Sequence, residues 1–446
     1  MNHQDVKTPR PRSKDTGLYE QSNRGHRVIR LPFEESAYTE IVDDPELFRA
    51  YVDDYLTKFA ELLPDSMQLS YHLDEIRYSK RQQLYYRRVK VGKLKYTIQP
   101  SFITPYWTAN CEEVAYPLRL IHQGTSFDLI VEGYGRHADY WYRIFLHIGR
   151  FSIVGTTARH QGVAPKHLAA DEKISHWCGE EICICTTASE DCLWGAEASQ
   201  SSDEAGLEQG YSIFKQEAQL LEEGYQPETV NTDGWKATRK AWKNLFESVV
   251  LILCFLHGYL KIRSTSKKLA CKNELMNLVW EAYEQECKED FLLKTTELEQ
   301  WANKNIEHQS THENVLKLCN KATKYAAYYE QPNAYRTSNM VDRPMKKMNQ
   351  FLVNKQYFHG HFASAQLLTR AWALCYNFMP FCSRYKYNHP QKAEKFNSRA
   401  AQYNQFQYHQ NWLINLMTSA SLNGFRRVSP QICLLYTSDA ADERHC

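Results

Sequence analysis

The sequence predicts an α/β protein whose central mixed sheet follows the order βββαβαβ, ends in a further helix and is interrupted by an all-helical insertion. Three observations predict it. Residues 166–198 contain three short runs with the two-residue period of strands, separated by tight connections. Residues 203–256 then alternate between helix-like and strand-like patterns. Residues 258–335 are strongly helical and charged.

The composition indicates a folded protein. The near balance of basic and acidic residues by itself favours neither an acidic nor a basic partner. The chain has 446 residues, 54 Lys+Arg against 52 Asp+Glu, 43% hydrophobic and 13% aromatic residues. These values fit about two to four domains and exclude a disordered or collagen-like chain. The longest apolar run, Val249 to Leu256, is far shorter than the roughly 20 residues that span a bilayer. We therefore expect a cytoplasmic protein without a membrane partner.

The N-terminal third is predicted to bind a partner. Residues 1–33 are polar and basic, which predicts a flexible arm, and residues 34–150 are assigned to a mainly helical region. Between Asp44 and Leu63 the apolar residues recur every three or four positions, as in an amphipathic helix. The residues of this predicted apolar face are Leu47, Tyr51, Tyr55, Phe59 and Leu62.

A basic stretch follows, in which Arg77 to Lys95 holds eight Lys/Arg and no acid, interleaved with tyrosines. Basic charge neutralises phosphate and aromatic rings stack on bases, so this stretch is a candidate nucleic-acid surface. A solvated basic strand pair would have the same pattern, and both interpretations stay open here. The predicted contacts are Arg77, Lys80, Arg81, Arg87 and Arg88.

Residues 112–148 predict short helices separated by Gly-containing turns, the pattern of a helix-turn-helix. Arg136, His137 and Arg143 would lie on or near the helix that enters the major groove. An ordinary three-helix bundle has almost the same pattern, so this alternative also stays open.

The core elements are predicted in chain order. Their ranges are strands Lys166–Glu172, Glu181–Ala188 and Asp191–Ala198, helix Asp203–Glu223, strand Thr229–Asp233, helix Lys236–Phe246 and the apolar strand Val249–Leu256. This order, with helices on both sides of a mixed sheet, is the ribonuclease-H-like arrangement. We assign residues 164–257 to the first part of this core, 258–335 to the insertion and 336–432 to the last helix and the C-terminal helices. Residues 433–446 resemble the read-through of a sequencing adapter, and we treat them as not native.

Three aspartates have the positions that phosphoryl transfer on nucleic acid requires. That chemistry uses two divalent metal ions about 4 Å apart, held by carboxylates that converge from distant parts of the chain. Asp171 lies in the first core strand, and Asp233 ends the fourth, where Gly234 allows a sharp turn. Asp342 falls in the first turn of the helix after the insertion, two residues before Pro344. A turn or capping role is the alternative for each.

Cys254 and His257 close the predicted fifth strand with two residues between them. The pair could form half of a zinc site, but no partner pair follows at the spacing of a zinc finger. We therefore do not predict zinc there.

Several segments together resemble DDE/D-type transposases of prokaryotic insertion sequences, in the superfamilies that carry a helical insertion. The resemblance covers roughly residues 75–427. The segments are ADEK (170–173), DEAGLEQGYSIFKQEA (203–218), TVNTDGWKATRKAWKNLF (229–246), ILCFLHGYLKIR (252–263), AYRTSNMVDR (334–343), QYFHGHFASAQLLTRAWALCYNF (356–378) and NWLINLMTSASLNGFRR (411–427).

The resemblance implies roles for individual residues. Asp171, Asp233 and Asp342 match the three catalytic acids, which would hold two Mg²⁺ or Mn²⁺ ions, with Asp342 where many relatives carry Glu. Cys254 and His257 match the Cys-x-x-His signature that follows the second acid and would support the active site. Arg336, Thr337 and Asn339 would position the third acid.

The implied activity is metal-dependent cleavage at transposon ends and transfer of the freed 3′ hydroxyl to target DNA. The implied partner is double-stranded DNA, meaning the terminal inverted repeats and the target, in the bacterial nucleoid. Synapsis of two ends implies a homodimer or a higher oligomer. A nuclease or resolvase of the same fold, or an inactive domesticated DNA-binding remnant, is the alternative.

Overall fold

The structure, a computed structural model, is a mixed α/β protein with two mixed sheets and many helices. It describes residues 27–104, 109–331 and 333–424. The adapter-like segment 433–446 and most of the predicted arm therefore lie outside the described residues. No helix in the described part of the chain is long and apolar enough to cross a membrane.

The first sheet has four strands in the order β1-β4-β3-β2, and β1 and β4 run parallel. The strands are β1 (Val28–Leu31), β2 (His72–Ser79), β3 (Leu84–Val91) and β4 (Leu94–Pro100). One prediction was wrong here. Residues 28–33 do not belong to the arm, because Ile29, Leu31 and Phe33 are buried in the main core. The region 34–150 contains three strands besides its predicted helices, and two of them form the basic strand pair that was one of the two open interpretations of this stretch.

The remaining N-terminal elements are helices that cover this sheet and connect it to the second one. They are α1 (Glu35–Asp43), α2 (Pro45–Lys58), α3 (Cys111–His122), α4 (Phe127–Tyr134), α5 (Ala138–Ile148) and α6 (Ile153–Thr157). Helix α2 begins where predicted because the Asp44 carboxylate accepts hydrogen bonds from the N–H groups of Glu46 and Leu47. Its predicted apolar face was wrong in part. Leu47 is 44% exposed, and Phe48 and Val52 are buried instead. The helix ends at Lys58, so Phe59 and Leu62 lie beyond it.

The second sheet has five strands in the order β7-β6-β5-β8-β9. Its elements are β5 (His167–Trp177), β6 (Glu180–Ser189), β7 (Cys192–Ser199), α7 (Glu204–Leu221), β8 (Thr229–Thr232), α8 (Lys236–Leu245) and β9 (Val250–Leu253). Strands β5, β6 and β7 form the predicted antiparallel meander, and β8 and β9 run parallel to β5. Helix α7 is capped by Asp203, whose carboxylate accepts a hydrogen bond from the N–H of Gly206.

The fifth strand ends earlier than predicted. Val249–Leu256 is a continuous apolar run, but β9 stops at Leu253 and Phe255 begins a helix. Cys254 is the residue before the first turn of that helix, and His257 lies within the turn. The prediction that Cys254 to His257 close the strand was therefore wrong, and the helical segment begins at Phe255 instead of Gly258.

The segment between β9 and the last part of the core is helical, as predicted. Its helices are α9 (Phe255–Thr265), α10 (Lys272–Glu284), α11 (Lys288–Asn305), α12 (Gln309–Cys319) and α13 (Ala322–Ala326), followed by a 3-10 turn over Ala327–Glu330. They surround an apolar cluster of their own that includes Leu275, Val279, Phe291, Leu298 and Val315. This helical segment is therefore stabilised largely by its own packing.

The C-terminal helices join the N-terminal region in one core. They are α14 (Asn339–Asn354), α15 (Phe362–Phe378), α16 (Ser383–Asn388), α17 (Pro390–Lys395), α18 (Arg399–Asn404) and α19 (Trp412–Ser419). Asp342 lies in the first turn of α14, as predicted, and Pro344 lies inside the helix, five residues after its first residue. The main core combines residues of β1, α3, α5, α14, α15 and α19, while α7 and α8 pack on the opposite face of the second sheet.

Candidate metal centre

Two neighbouring carboxylates leave the central strand β5 on opposite faces, because successive side chains alternate along a strand. Asp171 faces the side on which α9 and α14 lie, where it meets His257 and Asp342. Glu172 faces α7 and α8, where its Oε1 accepts hydrogen bonds from the Tyr211 hydroxyl at 2.6 Å and the Thr238 hydroxyl at 2.7 Å. Glu172 is not among the acids predicted from the sequence, although it directly follows Asp171.

Three residues from distant parts of the chain converge beside β5. Asp171, His257 and Asp342 each offer one ligand atom, and these atoms all lie within 4.8 Å of one another. The three side chains are half-buried. Two carboxylates and an imidazole at this separation form a group that could hold a metal ion.

His257 reaches the cluster because α9 begins directly after β9. Its neighbour Cys254 connects it to the third acid through a chain of contacts. The Cys254 sulfur lies 3.3 Å from the Ser338 hydroxyl and accepts a hydrogen bond from the Ser338 N–H at 3.3 Å. The Ser338 hydroxyl in turn donates to Oδ2 of Asp342 at 3.2 Å. The segment before α14 is thus attached to the end of β9, which fixes the position of the Asp342 carboxylate.

Burial and repulsion between neighbouring carboxylates disfavour the ionised form of the acids in the cluster when no cation is bound. Burial, then the charges of Glu172 and Asp342, raise the pKa of Asp171 to about 7, with His257 acting in the opposite direction. A divalent ion would supply the missing positive charge.

The imidazole is influenced most by the adjacent thiol. Its interaction with Cys254 raises the pKa of His257 to about 9, and burial opposes that rise. Burial acts to raise the pKa of the Cys254 thiol, but the interactions with His257 and Ser338 outweigh it and lower that pKa. Nδ1 of His257 is buried and has no hydrogen-bond partner of standard geometry. With a pKa of about 9 the imidazole is protonated at neutral pH, and the two carboxylates are then the ligands with free lone pairs.

Asp233 does not belong to the converging group. Burial raises the pKa of Glu172, and the charge of Asp233 adds to that rise. Asp233 follows β8, which runs parallel beside β5 and pairs Asn231 with Ala169, so Asp233 and Asp171 each come two residues after a paired residue. Its Oδ1 accepts a hydrogen bond from the N–H of Trp235 at 2.7 Å, which closes a turn. Gly234 has a φ of 90°, and a Cβ there would lie 2.3 Å from Cδ1 of Leu253. The predicted sharp turn after this acid is therefore confirmed.

Two of the three residues expected to position Asp342, Arg336 and Asn339, have other surroundings. The Arg336 guanidinium lies 4.3 Å from the ring centre of Tyr283 and 4.7 Å from that of Tyr328, and it donates to the Tyr329 hydroxyl at 2.8 Å. Asn339 is the exposed first residue of α14. Ser338, the residue just before α14, contacts the Asp342 carboxylate.

The basic stretch forms part of the first sheet, and its residues have unequal exposure. Arg77, Lys80 and Arg81 are exposed, and the exposed rings of Tyr78 and Tyr85 lie 4.9 Å apart. Acids just before the stretch neutralise part of its charge. Glu75 pairs with Arg77 at 2.8 Å and with Arg88 at 3.1 Å, and Asp74 pairs with Lys95 at 2.7 Å.

Arg87 differs from its neighbours because it is only 5% exposed. Its guanidinium donates to the carbonyl oxygens of Val42 and Asp43 at the end of α1, and it lies over the ring of Phe48. Arg87 therefore connects the end of α1 to the sheet, and its guanidinium is not part of the exposed surface.

Helices α3, α4 and α5 occupy the region predicted as a helix-turn-helix. Helix α5 buries Trp141, Ile144, Phe145 and Ile148 against the main core. Its opposite face carries Arg143, which pairs with Asp139 at 2.6 Å. The connection from α4 to α5 contains Arg136 and His137, which are both exposed. These three residues lie together at the surface, as either a helix-turn-helix or a three-helix bundle would have them.

Comparison with known proteins adds no assignment. No protein-family model matches the chain, and a search of curated proteins gave no match. The function must therefore be argued from the site itself.

Proposed function

We propose that this protein is a DDE/D-type DNA transposase that cleaves DNA and transfers the freed strand with divalent metal ions. The observation that carries the proposal is the convergence of Asp171, His257 and Asp342 within 4.8 Å. These residues come from a central strand, from the start of the insertion and from the first helix after it. Carboxylates that meet in this way are what metal-dependent phosphoryl transfer needs.

The strand order supports the fold that belongs to this proposal. An antiparallel meander, followed by two strands parallel to its first strand, is compatible with a ribonuclease-H-like sheet. We propose this topology, with the helical segment after β9 as the insertion. Asp171 within β5 and Asp233 directly after β8 then belong to adjacent parallel strands at similar positions along them, as the first two acids should.

The residues fit the proposed ions by their chemistry. Asp171 and Asp342 would hold one Mg²⁺ or Mn²⁺, since carboxylate oxygens are the ligands that both ions accept. Asp233 is proposed as the further carboxylate for a second ion. Bound ions would neutralise the scissile phosphate and activate water or the 3′ hydroxyl. Ser338 holds the Asp342 carboxylate in place, and His257 offers an N–H group beside it.

The DNA partner is proposed to lie along the first sheet and the helices that follow it. The exposed contacts would be Arg77, Lys80, Arg81 and, partly exposed, Arg88, with Tyr78 and Tyr85 between them. Arg136, His137 and Arg143 would add contacts from α5 and the connection before it. Arg87 is not part of this proposed surface, because its guanidinium is used internally. Two copies would act together on two ends.

The experiment is a cleavage and joining assay on the gene's own flanking DNA. A linear fragment with both flanks is incubated with Mn²⁺ and a target plasmid, and cuts at the element ends and joined products are mapped. Wild type should give both products, and Asp342→Asn should give neither while binding DNA normally. Asp65→Asn, at an exposed acid far from the cluster in sequence, is the matched control and should behave as wild type.

Other outcomes would refute the proposal. Cleavage without joining would make the protein a nuclease or resolvase. DNA binding without cleavage by wild type would identify an inactive binding remnant.

A further inference from the structure

The end of strand β5 brings a thiol and several imidazoles to one part of the surface, away from the proposed metal centre. His176 lies at the end of β5 and Cys178 in the turn after it, and both are exposed. His359 and His361, in the connection between α14 and α15, are exposed as well. His176 is five residues beyond Asp171, which is roughly 16 Å along the strand. No role assigned above uses these side chains.

The connection between α14 and α15 pairs with the end of β5 as a short parallel strand does. Trp177 and Phe358 form a parallel bridge. The N–H of Phe358 donates to the carbonyl oxygen of His176 at 3.1 Å, and the N–H of Cys178 donates to that of Phe358 at 2.9 Å. The two bridged side chains are buried, so the residues beside them in each segment point to the opposite, exposed side. His176, Cys178 and His359 therefore share that side.

The thiol lies against the His-Gly-His segment of this connection. The Cys178 sulfur is 3.7 Å from the carbonyl oxygen of Gly360. His359 and His361 flank that glycine, so both imidazoles are attached to backbone next to the sulfur. The pairing thus brings together one sulfur and two imidazoles from segments 181 residues apart, counted from Cys178 to His359.

His176 is the fourth member of this group. Its ring centre lies 5.0 Å from that of Tyr357, which places it beside the same connection. Glu181 is its direct partner across the antiparallel pair of β5 and β6, and residues opposite each other in such a pair have side chains on the same face. A carboxylate in that position is suited to accept the second ring N–H of a histidine that binds a metal ion.

The chemistry of the group matches a transition-metal ion and differs from that of the first centre. Thiolate and imidazole are the ligands of Zn²⁺, and one sulfur with three nitrogens gives the four ligands of a closed tetrahedral site. Mg²⁺ and Mn²⁺ prefer oxygen ligands, so the two sites would select different ions. Among the described residues, only the group around Asp171 has its ligand atoms already within 4.8 Å. The side chains at the end of β5 must therefore rotate onto the ion, and their exposure leaves room for this.

We propose that Cys178, His359, His361 and His176 bind one zinc ion, which fastens the connection between α14 and α15 to the turn after β5. The two residues before this part of the connection, 356 and 357, have φ values of 54° and 68°. Residues other than glycine adopt this left-handed conformation at a cost, and a bound ion would stabilise it. The inference is independent of DNA cleavage, so a protein that never cleaves DNA can still have this site.

The test uses the full chain, freed of metal, in a reducing buffer with excess Mg²⁺ to occupy the first centre. The probe is Co²⁺, which replaces zinc and gives a thiolate-to-cobalt charge-transfer band when a cysteine binds it. Wild type should give this band together with the visible bands of tetrahedral cobalt, and Zn²⁺ added afterwards should remove both. Cys178→Ser should lose the charge-transfer band. His359→Ala and His361→Ala should each weaken Co²⁺ binding on the order of a hundredfold, the upper end of the cost of losing a residue that only supports a ligand.

Matched controls change the same residue types at other exposed positions. Cys382→Ser and His389→Ala should give the wild-type spectrum and affinity. Zn²⁺ should raise the melting temperature of wild type and of both controls and leave that of Cys178→Ser unchanged, since only a folded site binds the ion. Circular dichroism of each variant without metal shows whether it folds.

Three results would overturn the inference. Wild type without a charge-transfer band has no thiolate site for this ion. A band that persists in Cys178→Ser places the thiolate elsewhere in the chain. Loss of the band in Cys178→Ser with unchanged affinity in both histidine variants would mean that the His-Gly-His segment does not bind the ion.

Discussion

The two faces of strand β5 show how one pair of adjacent acids can have different purposes. Burial raises the pKa of both Asp171 and Glu172 to about 7. Glu172 meets two hydroxyl donors that satisfy its carboxylate, whereas Asp171 meets a second carboxylate and an imidazole. Equal burial therefore does not identify a functional acid. The partners do, because a group satisfied by neutral donors needs no ion and a cluster of charges does.

The largest expected effect is the loss of metal binding on one face only. Asp171→Asn should weaken Mn²⁺ binding on the order of a thousandfold, since it removes one of two carboxylate ligands. Glu172→Gln should bind Mn²⁺ at least as tightly as wild type does, because burial and the Glu172 charge raise the pKa of Asp171 and the variant removes that charge. Isothermal titration with Mn²⁺ measures both, and equal weakening in the two variants would show that the faces are not distinct.

A smaller effect, on the free energy of unfolding, is expected from changing Glu172 on the opposite face of β5. Glu172→Ala leaves the hydroxyls of Tyr211 and Thr238 without their acceptor, which should cost about 1–3 kcal/mol of unfolding free energy. Glu172→Gln keeps the accepting oxygen and should unfold near the wild-type denaturant concentration. Urea unfolding compares them, and a Gln variant as unstable as the Ala variant would mean that the negative charge itself is needed.

A third prediction concerns a titrating group that packs on the Asp171 side of the sheet without belonging to the cluster. His122 stacks on Trp372 with ring centres 4.6 Å apart, and burial lowers the pKa of His122 to about 3. The unfolded chain binds this proton near pH 6.5, so stability is complete above that pH and falls as the pH drops toward 3.

His122→Phe should therefore lose less stability than wild type between pH 7.5 and pH 5, by about 1–2 kcal/mol. Urea unfolding at the two pH values measures this, with Mn²⁺ binding at pH 7.5 as the control. An equal loss of unfolding free energy between pH 7.5 and pH 5 in both proteins would show that other groups cause the acid sensitivity.

The smallest effect is expected at the exposed part of the first sheet. Changing Arg77 and Lys80 together to Gln should lower the slope of log affinity against log salt by about 1–2 for double-stranded DNA. Arg87→Gln should leave that slope unchanged and reduce stability instead, because its guanidinium closes α1. A slope that changes only with Arg87 would reverse this assignment.

Local sequence was sufficient where one period continues over many residues. The two-residue period of β5, β6 and β7 and the helical period of α7 predicted those elements, with Leu207, Tyr211 and Phe214 on the buried face. Local sequence was insufficient where an element forms only because it pairs with a segment distant in the chain. Four residues are too few to predict β1, which exists because β4 pairs with it. The apolar run after Val249 did not reveal that a helix begins at Phe255.

Sequence by itself therefore determined the order of the core elements, the helical character of the insertion and the places of Asp171 and Asp342 at a strand and a helix start. Only the tertiary structure decided which charges meet. It brought His257 to the two acids, attached Ser338 to Asp342, turned Glu172 to the other face and buried Arg87. The physical reason is that periodicity records which side of an element is apolar, whereas the environment of a charge depends on elements distant in the chain.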